Sequence, residues 1–302
     1  MSAEQIDGRK IAQTLKYEVT SEVESLRADR IPCGLATIAV GDDYGARVYE
    51  RRIGSLADEL GVPCRQITLP ASTSQAEMLA VVRSLNSDPA ISGVLILRPL
   101  PRHIREVEVF RCLSPTKDIE SVHPENAGLL ALGTPRYVPS TAASVFYVLD
   151  TWLDTIGESR PDFYHRSLIV VVGRSNTVGK PAVSLAYDRE ASVESIDVWA
   201  SQNGRLGWHT RRADVLVVAA GVPGLIRTEH IREGAVVLDV GINPVTHPRT
   251  GATHMVGDVE FTEVAQRARA ITPVPGGIGP VTDVWLLHNA TLAARNIHTE
   301  RF

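Results

Sequence analysis

The chain has 302 residues, 44% of them hydrophobic and 22% charged, with a formal net charge of -4. That length makes roughly two domains of ~150 residues. The composition excludes a disordered chain, and the charge leaves no basic field to hold nucleic acid or an anionic membrane. Three widely spaced cysteines, Cys33, Cys64 and Cys112, exclude a disulfide framework and a paired-cysteine zinc or redox site, which suits a reducing compartment. The amino-terminal residues lack the apolar core of a signal peptide. The longest apolar stretch, 215–226, is broken by Gly221, Pro223 and Gly224 and falls short of the ~20 residues that span a bilayer. A cytoplasmic protein is expected.

Apolar residues at helical spacing (Ile11, Leu15, Val19, Val23, Leu26) predict a surface helix over 6–27. A β-rich run over 35–40 ends at the turn residues Gly41, Asp42 and Asp43. A helix over 46–60 stopped by Gly61, a strand over 65–69, a helix over 74–85 and a buried strand over 93–97 follow. This alternation predicts an α/β fold with helices on the faces of a parallel sheet. The polar segment 157–165, with Pro161, reads as a linker between domains. Beyond it the pattern restarts with Ser167-Leu-Ile-Val-Val-Val172, and strands over 195–199, 215–219 and 235–240 complete a doubly wound nucleotide-binding pattern. Residues 281–298 read as a helix.

Gly173-Arg-Ser-Asn-Thr-Val-Gly179 lies between a strand and a helix over 181–187. The spacing is GxSxxxG rather than GxGxxG; the work can be the same, the alternative being a plain tight strand–helix turn. Glycines let the backbone approach a pyrophosphate, and the helix amino terminus supplies free N–H groups and a positive dipole end. The next strand leads to Ser201 where an NAD site offers an acidic residue to the ribose, and Arg174 lies across the expected pocket. A hydroxyl plus a guanidinium suits a 2′-phosphate, so NADP is expected, with NAD the alternative. Asp197 is read as inside the strand and a poorer ribose ligand.

Several segments recur in a known order: Gly173 to Pro181, Ala219-Ala-Gly-Val-Pro-Gly224, Val237-Leu-Asp-Val-Gly-Ile-Asn243, Gly257-Asp-Val259 and Thr272-Pro-Val-Pro-Gly-Gly-Ile-Gly-Pro280. With Val40-Gly-Asp-Asp43, Val48-Tyr49, Pro99-Leu-Pro101, Lys117-Asp118 and His123-Pro124, they resemble the bifunctional methylenetetrahydrofolate dehydrogenase/cyclohydrolases over nearly the whole chain. The resemblance implies an amino-terminal catalytic domain (1–145 with the returning helix 281–302) and a Rossmann-like NAD(P)-binding domain (146–280). It also implies a homodimer, with tetrahydrofolate as the substrate carrier and a folate site in a cleft between the domains. It assigns Tyr49, Ile53, Leu97 and Glu120 to the catalytic positions, and Tyr49, Glu120, Pro275, Gly276, Gly277 and Asp283 to substrate. To the dinucleotide it assigns Gly173, Arg174, Ser175, Val178, Gly179, Ser201, Ala220, Gly221, Ile242 and Gly277. No metal is implied, and His103, His123 and His288 lack partners at ligand spacing.

The chain departs from the family pattern on the folate side. Ile53 stands where the family has its acid/base lysine, and Leu97 where a glutamine is expected. Glu120 and Ser121 replace Asp-Gly, Ala46 and Ser140 fall at changed positions, and Asp283 replaces an apolar residue. Taking a hydride from a methylene between two nitrogens needs alignment at ~3–3.5 Å but no protein acid or base. Hydrolysing the resulting cation needs general acid–base work, for which isoleucine is useless and whose loss costs ~10²–10⁴-fold. Three readings stand. The first is a dehydrogenase with weak or lost cyclohydrolase activity; the second is a relative repurposed for another imine, amine or pterin; the third is a non-catalytic folate- or nucleotide-binding protein. Tyr49 either stacks on the pterin or positions a neighbour, Glu120 offers its carboxylate to the pterin edge, and Asp118 caps the loop or pairs with Lys117. Asp283 serves as a helix N-terminal charge or a ligand for a cationic substrate.

Overall fold

The computed structural model describes residues 2–246 and 251–299. Its first elements are β1 (Glu4–Gln5), α1 (Gly8–Ala28), β2 (Leu35–Val40), α2 (Tyr44–Leu60), β3 (Cys64–Leu69), α3 (Gln75–Ser87), β4 (Gly93–Ile96), α4 (Glu106–Cys112), α5 (Pro124–Ala131) and α6 (Ser140–Thr155). Then come α7 (Arg160–Arg166), β5 (Leu168–Val172), α8 (Gly179–Tyr187), β6 (Ser192–Ile196), α9 (Val198–Gln202), α10 (Leu206–Thr210), β7 (Val215–Val218) and β8 (Val236–Asp239). The last are β9 (Asn243–Thr246), β10 (Thr253–Val256), α11 (Phe261–Val264), β11 (Ala270–Ile271) and α12 (Ile278–Thr299). They divide into two compact units. One joins the residues up to Gln13 to Thr141–Thr282, and the other joins Thr14–Ser140 to the chain from Asp283 onward.

In the first unit a six-stranded sheet runs β1-β11-β8-β7-β5-β6, every neighbouring pair parallel. Ile169 to Val172 on β5 are buried, as are all four residues of β7 and of β8, so these runs show no alternation. From β5 the chain goes to β6 on one side and then to β7 on the other. That reversal opens a crevice at the carboxyl ends of β5 and β7.

The second unit carries a three-stranded parallel sheet, β3-β2-β4, with β2 wholly buried at its centre. Asp43 caps α2 by accepting the Ala46 N–H at 2.8 Å, and Gly61 ends the helix in the left-handed region at φ 74°. Ser74 and Glu77 form a reciprocal capping box at the start of α3. Buried Thr37 on β2 donates to Glu50 Oε1 at 2.7 Å and ties α2 to the sheet.

Three expectations fail here. Residues up to Gln13 belong with the six-stranded sheet, because Glu4 and Gln5 pair with Ala270 and Ile271. A two-residue strand carries no periodicity to read. The segment 157–165 is no linker. Ser159 caps α7, Pro161 sits in its first turn where no N–H is missed, and Phe163 and Tyr164 are buried. The strand expected over 195–199 ends at Ile196. Asp197 then caps α9 by accepting the Trp199 N–H at 3.1 Å. Asp197 therefore stands at the strand's tip rather than inside it, and Ser201 lies in a helix.

Candidate active site

On the nucleotide side, backbone does most of the building. Gly173 takes φ 119°, and a Cβ there would lie 2.2 Å from the Ala219 carbonyl. A Cβ on Gly179 would lie 2.1 Å from the Gly173 carbonyl. The loop thus closes over the start of the nine-residue helix α8 only because both residues lack side chains. Ser175 Oγ accepts the N–H groups of Val178 (3.1 Å) and Gly179 (3.3 Å), so its hydroxyl holds the loop to the start of the helix. Arg174, Ser175 and Asn176 are exposed above it.

Arg174 reaches the tip of β6, where it donates to the Ser195 carbonyl at 2.6 Å and pairs with Asp197 at 3.1 Å. The anticipated partnership of Arg174 with Ser201 is replaced by one with Asp197, and Ser201 is exposed on α9. Exposed loop backbone, a helix amino terminus and a guanidinium at the second strand's tip fit a phosphorylated dinucleotide.

Asp239 and Asp258 carry no role that the sequence motifs indicate. Asp258 Oδ2 accepts the N–H groups of Ala220 (2.7 Å) and Gly221 (2.9 Å). Its Oδ1 accepts Val222 N–H (2.9 Å) and Asn243 Nδ2 (2.8 Å). Asp239 in turn accepts the N–H groups of Gly241, Asp258 and Val259, each at 3.0 Å. Burial pushes the Asp239 carboxyl up to about 7, against the pull of those N–H groups. These carboxylates knot the loops after β7 and β8 to the segment leading into α11. Ile242 is half exposed beyond them.

The Pro275-Gly276-Gly277 turn is packed tightly. Gly276 takes φ 116°, a Cβ on Gly277 would lie 2.6 Å from that of Thr272, and one on Gly8 would lie 1.7 Å from the Gly277 carbonyl.

In the other unit the side chains do the building. Tyr49, Arg52 and Ile53 share the face of α2 given by i, i+3 and i+4 spacing. Ile53 is wholly buried. The Arg52 guanidinium lies 5.2 Å from the centre of the Tyr49 ring and grips Asp283 of α12 with two bonds, Nε to Oδ2 at 2.8 Å and Nη2 to Oδ1 at 2.9 Å. Burial, then the negative charges of Asp283 and Glu120, raise the Tyr49 phenol far above its usual range, so it stays a neutral donor. Burial pushes Glu120 up to about 7, although its Oε1 accepts the Ser140 N–H at 3.0 Å. Burial likewise pushes Asp283 up to about 6, with Arg52 pulling the other way. Leu97 is buried at the end of β4, its N–H bonded to the Ile38 carbonyl.

The loop carrying Glu120 is fixed by Asp118, which accepts the N–H groups of Val122 (3.0 Å) and His123 (2.8 Å) and the Asn126 amide (2.9 Å). Lys117 turns instead to the carbonyls of Leu85 and Asp88. Of the two roles considered for Asp118, the capping one is built. Ser121 takes φ 52°, a conformation suited to the glycine expected there, and its hydroxyl donates to the Tyr137 carbonyl at 2.6 Å. Arg52 is a further residue of this cluster, and its i+3 spacing from Tyr49 on α2 is the sequence signal that marks it. Among the described residues no cluster of three or more His, Cys, Asp or Glu is placed to hold a metal, and no helix is long and apolar enough to cross a membrane.

A doubly wound parallel sheet with a glycine loop at its switch point, joined in one chain to a smaller α/β unit carrying buried carboxyls, defines a dinucleotide-dependent oxidoreductase. Residues 139–298 match the tetrahydrofolate dehydrogenase/cyclohydrolase NAD(P)-binding domain, and residues 6–120 match the catalytic domain of the same family. The chain belongs to the tetrahydrofolate dehydrogenase/cyclohydrolase family. It is 57% identical to Bifunctional protein FolD 3 of Rubrobacter xylanophilus, over 99% of this chain and 95% of that one. Among solved structures it is similar to the Trypanosoma brucei N5,N10-methylenetetrahydrofolate dehydrogenase-cyclohydrolase, complexed with NADP cofactor and inhibitor. That likeness has a TM-score of 0.89 and 33% identity, covering the whole of both chains. The bifunctional enzyme from Campylobacter jejuni gives a TM-score of 0.88 at 32% identity, covering 98% of this chain and all of that one.

Proposed function

We propose that this chain oxidises 5,10-methylenetetrahydrofolate to the 5,10-methenyl cation with NADP, and that its cyclohydrolase step is weak or lost. NADP, when bound, accepts the hydride. The loop 173–179 and the backbone held by Asp258 bind the dinucleotide, and Arg174 meets its 2′-phosphate in place of Asp197. The Pro275-Gly276-Gly277 turn offers backbone to the nicotinamide and substrate. Tyr49, Glu120 and Asp283 line the pterin side. The Glu120 carboxylate accepts N–H bonds from the pterin edge, and Tyr49 acts through its hydroxyl because Arg52 covers its ring. Hydride leaves carbon with its electron pair while the nitrogens delocalise the charge, so no protein base is needed.

One observation carries the claim of weak hydrolysis: a wholly buried isoleucine occupies the helix position four residues after Tyr49. Such a side chain neither deprotonates water nor protonates a leaving nitrogen. The Rubrobacter relative bears the name bifunctional protein, so hydrolysis is the half of the proposal under test. With NADP and methylenetetrahydrofolate, the methenyl chromophore should appear and persist. Its absence would overturn the dehydrogenase reading, and its prompt conversion to formyltetrahydrofolate would overturn the hydrolytic one. A cytoplasmic homodimer belongs to the same proposal on the strength of the family resemblance. Light scattering of the purified chain at one subunit's mass would remove the dimer.

A further inference from the structure

One departure from the family pattern, Asp283, is tied to the helix that carries another, Ile53. Ile53 removes a titratable cation from α2, and one position earlier Arg52 supplies a cation that stays protonated at any physiological pH. Both bonds of its fork go to Asp283, which is 8% exposed, whereas the Arg52 side chain is half exposed. The ion pair therefore has a dry end and a wet end. The carboxylate is the dry one, and its charge and that of Glu120 each act on the Tyr49 hydroxyl more strongly than the opposing charge of Arg52. Lys16, which also acts on Asp283, is engaged by Glu59 at 2.8 Å. Solvent screens the arginine's charge more than the buried carboxylate's, so a ligand beside Tyr49 feels a net negative field.

We propose that Asp283, locked in place by Arg52, is a specificity-determining residue that makes the pterin side prefer a cationic folate, the methenyl state, over a neutral one. This rests on the folate reading given above. The pair does no proton chemistry. It holds the charge that appears when hydride leaves, in a site whose lysine position can no longer discharge it by hydrolysis. Asp283 thus recognises the bridging amidinium, and Glu120 recognises the pterin edge.

The test is equilibrium binding at pH 7.5, without NADP, of two ligands sharing the same pterin and tail, 5,10-methenyltetrahydrofolate (cationic bridge) and 5,10-methylenetetrahydrofolate (neutral bridge), to the full chain. The variants are Asp283→Asn, which keeps the shape, and Asp283→Leu, which restores an apolar side chain. In the unmodified chain the cation should bind more tightly. In either folded variant that preference should fall about tenfold while the neutral ligand's affinity stays within about twofold. Equal loss for both ligands, no change for either, or failure of both variants to fold would make the pair merely structural and overturn the proposal. Binding needs no turnover, so a chain that binds both folates without preference loses this inference and keeps the dehydrogenase reading. A chain that binds neither loses both.

Discussion

The two units are built from different materials. The nucleotide side is made of backbone: glycines where a Cβ would collide with a carbonyl, and N–H groups gathered by the buried carboxylates of Asp258 and Asp239. The other unit, which carries the proposed pterin side, uses side chains: Tyr49 and Arg52 on α2, Glu120 on a loop and Asp283 on α12. Backbone geometry tolerates little change, because altering one residue moves the loop every other residue uses. A side-chain site can exchange its chemistry residue by residue, and in this chain the departures at Ile53, Leu97, Glu120, Ser121 and Asp283 all fall on that side.

Breaking the knot should have the largest effect. Asp258→Ala removes the partner of three part-buried N–H groups and of the Asn243 amide, and at a net ~0.5–1.5 kcal/mol per hydrogen bond the loss of four should cost at least ~2 kcal/mol. Urea unfolding with the NADP KM measures it, and a change under ~0.5 kcal/mol would remove the contrast between the halves. Ile53→Lys should raise methenyl hydrolysis by up to ~10²-fold, although the position's burial will also lower stability. Unchanged hydrolysis in a folded variant would implicate Leu97 and Glu120 as further blocks.

Arg174→Ala should weaken NADP by about tenfold and NAD less, because only the former loses a charge-assisted bond to phosphate. Equal losses would deny the arginine that role. Glu120 sharpens the comparison through pH. Its carboxyl, raised to about 7, is increasingly protonated below that value and then no longer accepts from the pterin edge. Hydride-transfer kcat/KM should therefore rise a few-fold as pH increases through about 7, and Glu120→Gln should flatten that limb. Ser121→Gly should change least, under ~1 kcal/mol by thermal unfolding. Relief of a left-handed residue, worth ~1–2 kcal/mol, is offset by loss of a hydrogen bond worth about 1 kcal/mol.

Much of the fold was legible. The apolar run ending at Val172 read as a strand because burial on both faces removes alternation, and the glycine spacing after it read as a phosphate loop because few other residues permit that turn. Strand β6 was misplaced by three residues. Its edge position leaves it half polar, and Val198 and Trp199 imitate a strand while lying in an exposed helix. The proposed catalytic positions were legible as residue types, through resemblance, but their electrostatics were not.

Local pattern and glycine spacing by themselves determined the α/β class, most of the strands and the dinucleotide loop, since each rests on residues within a few positions of one another. Only the tertiary structure decided that Asp258 holds amides 36 to 38 residues away. It alone brought Arg52 to Asp283 across 231 residues and attached β1 to the six-stranded sheet. Hydrogen bonds and charge pairs of that kind depend on distance in space, and chain folding sets that distance independently of separation in sequence.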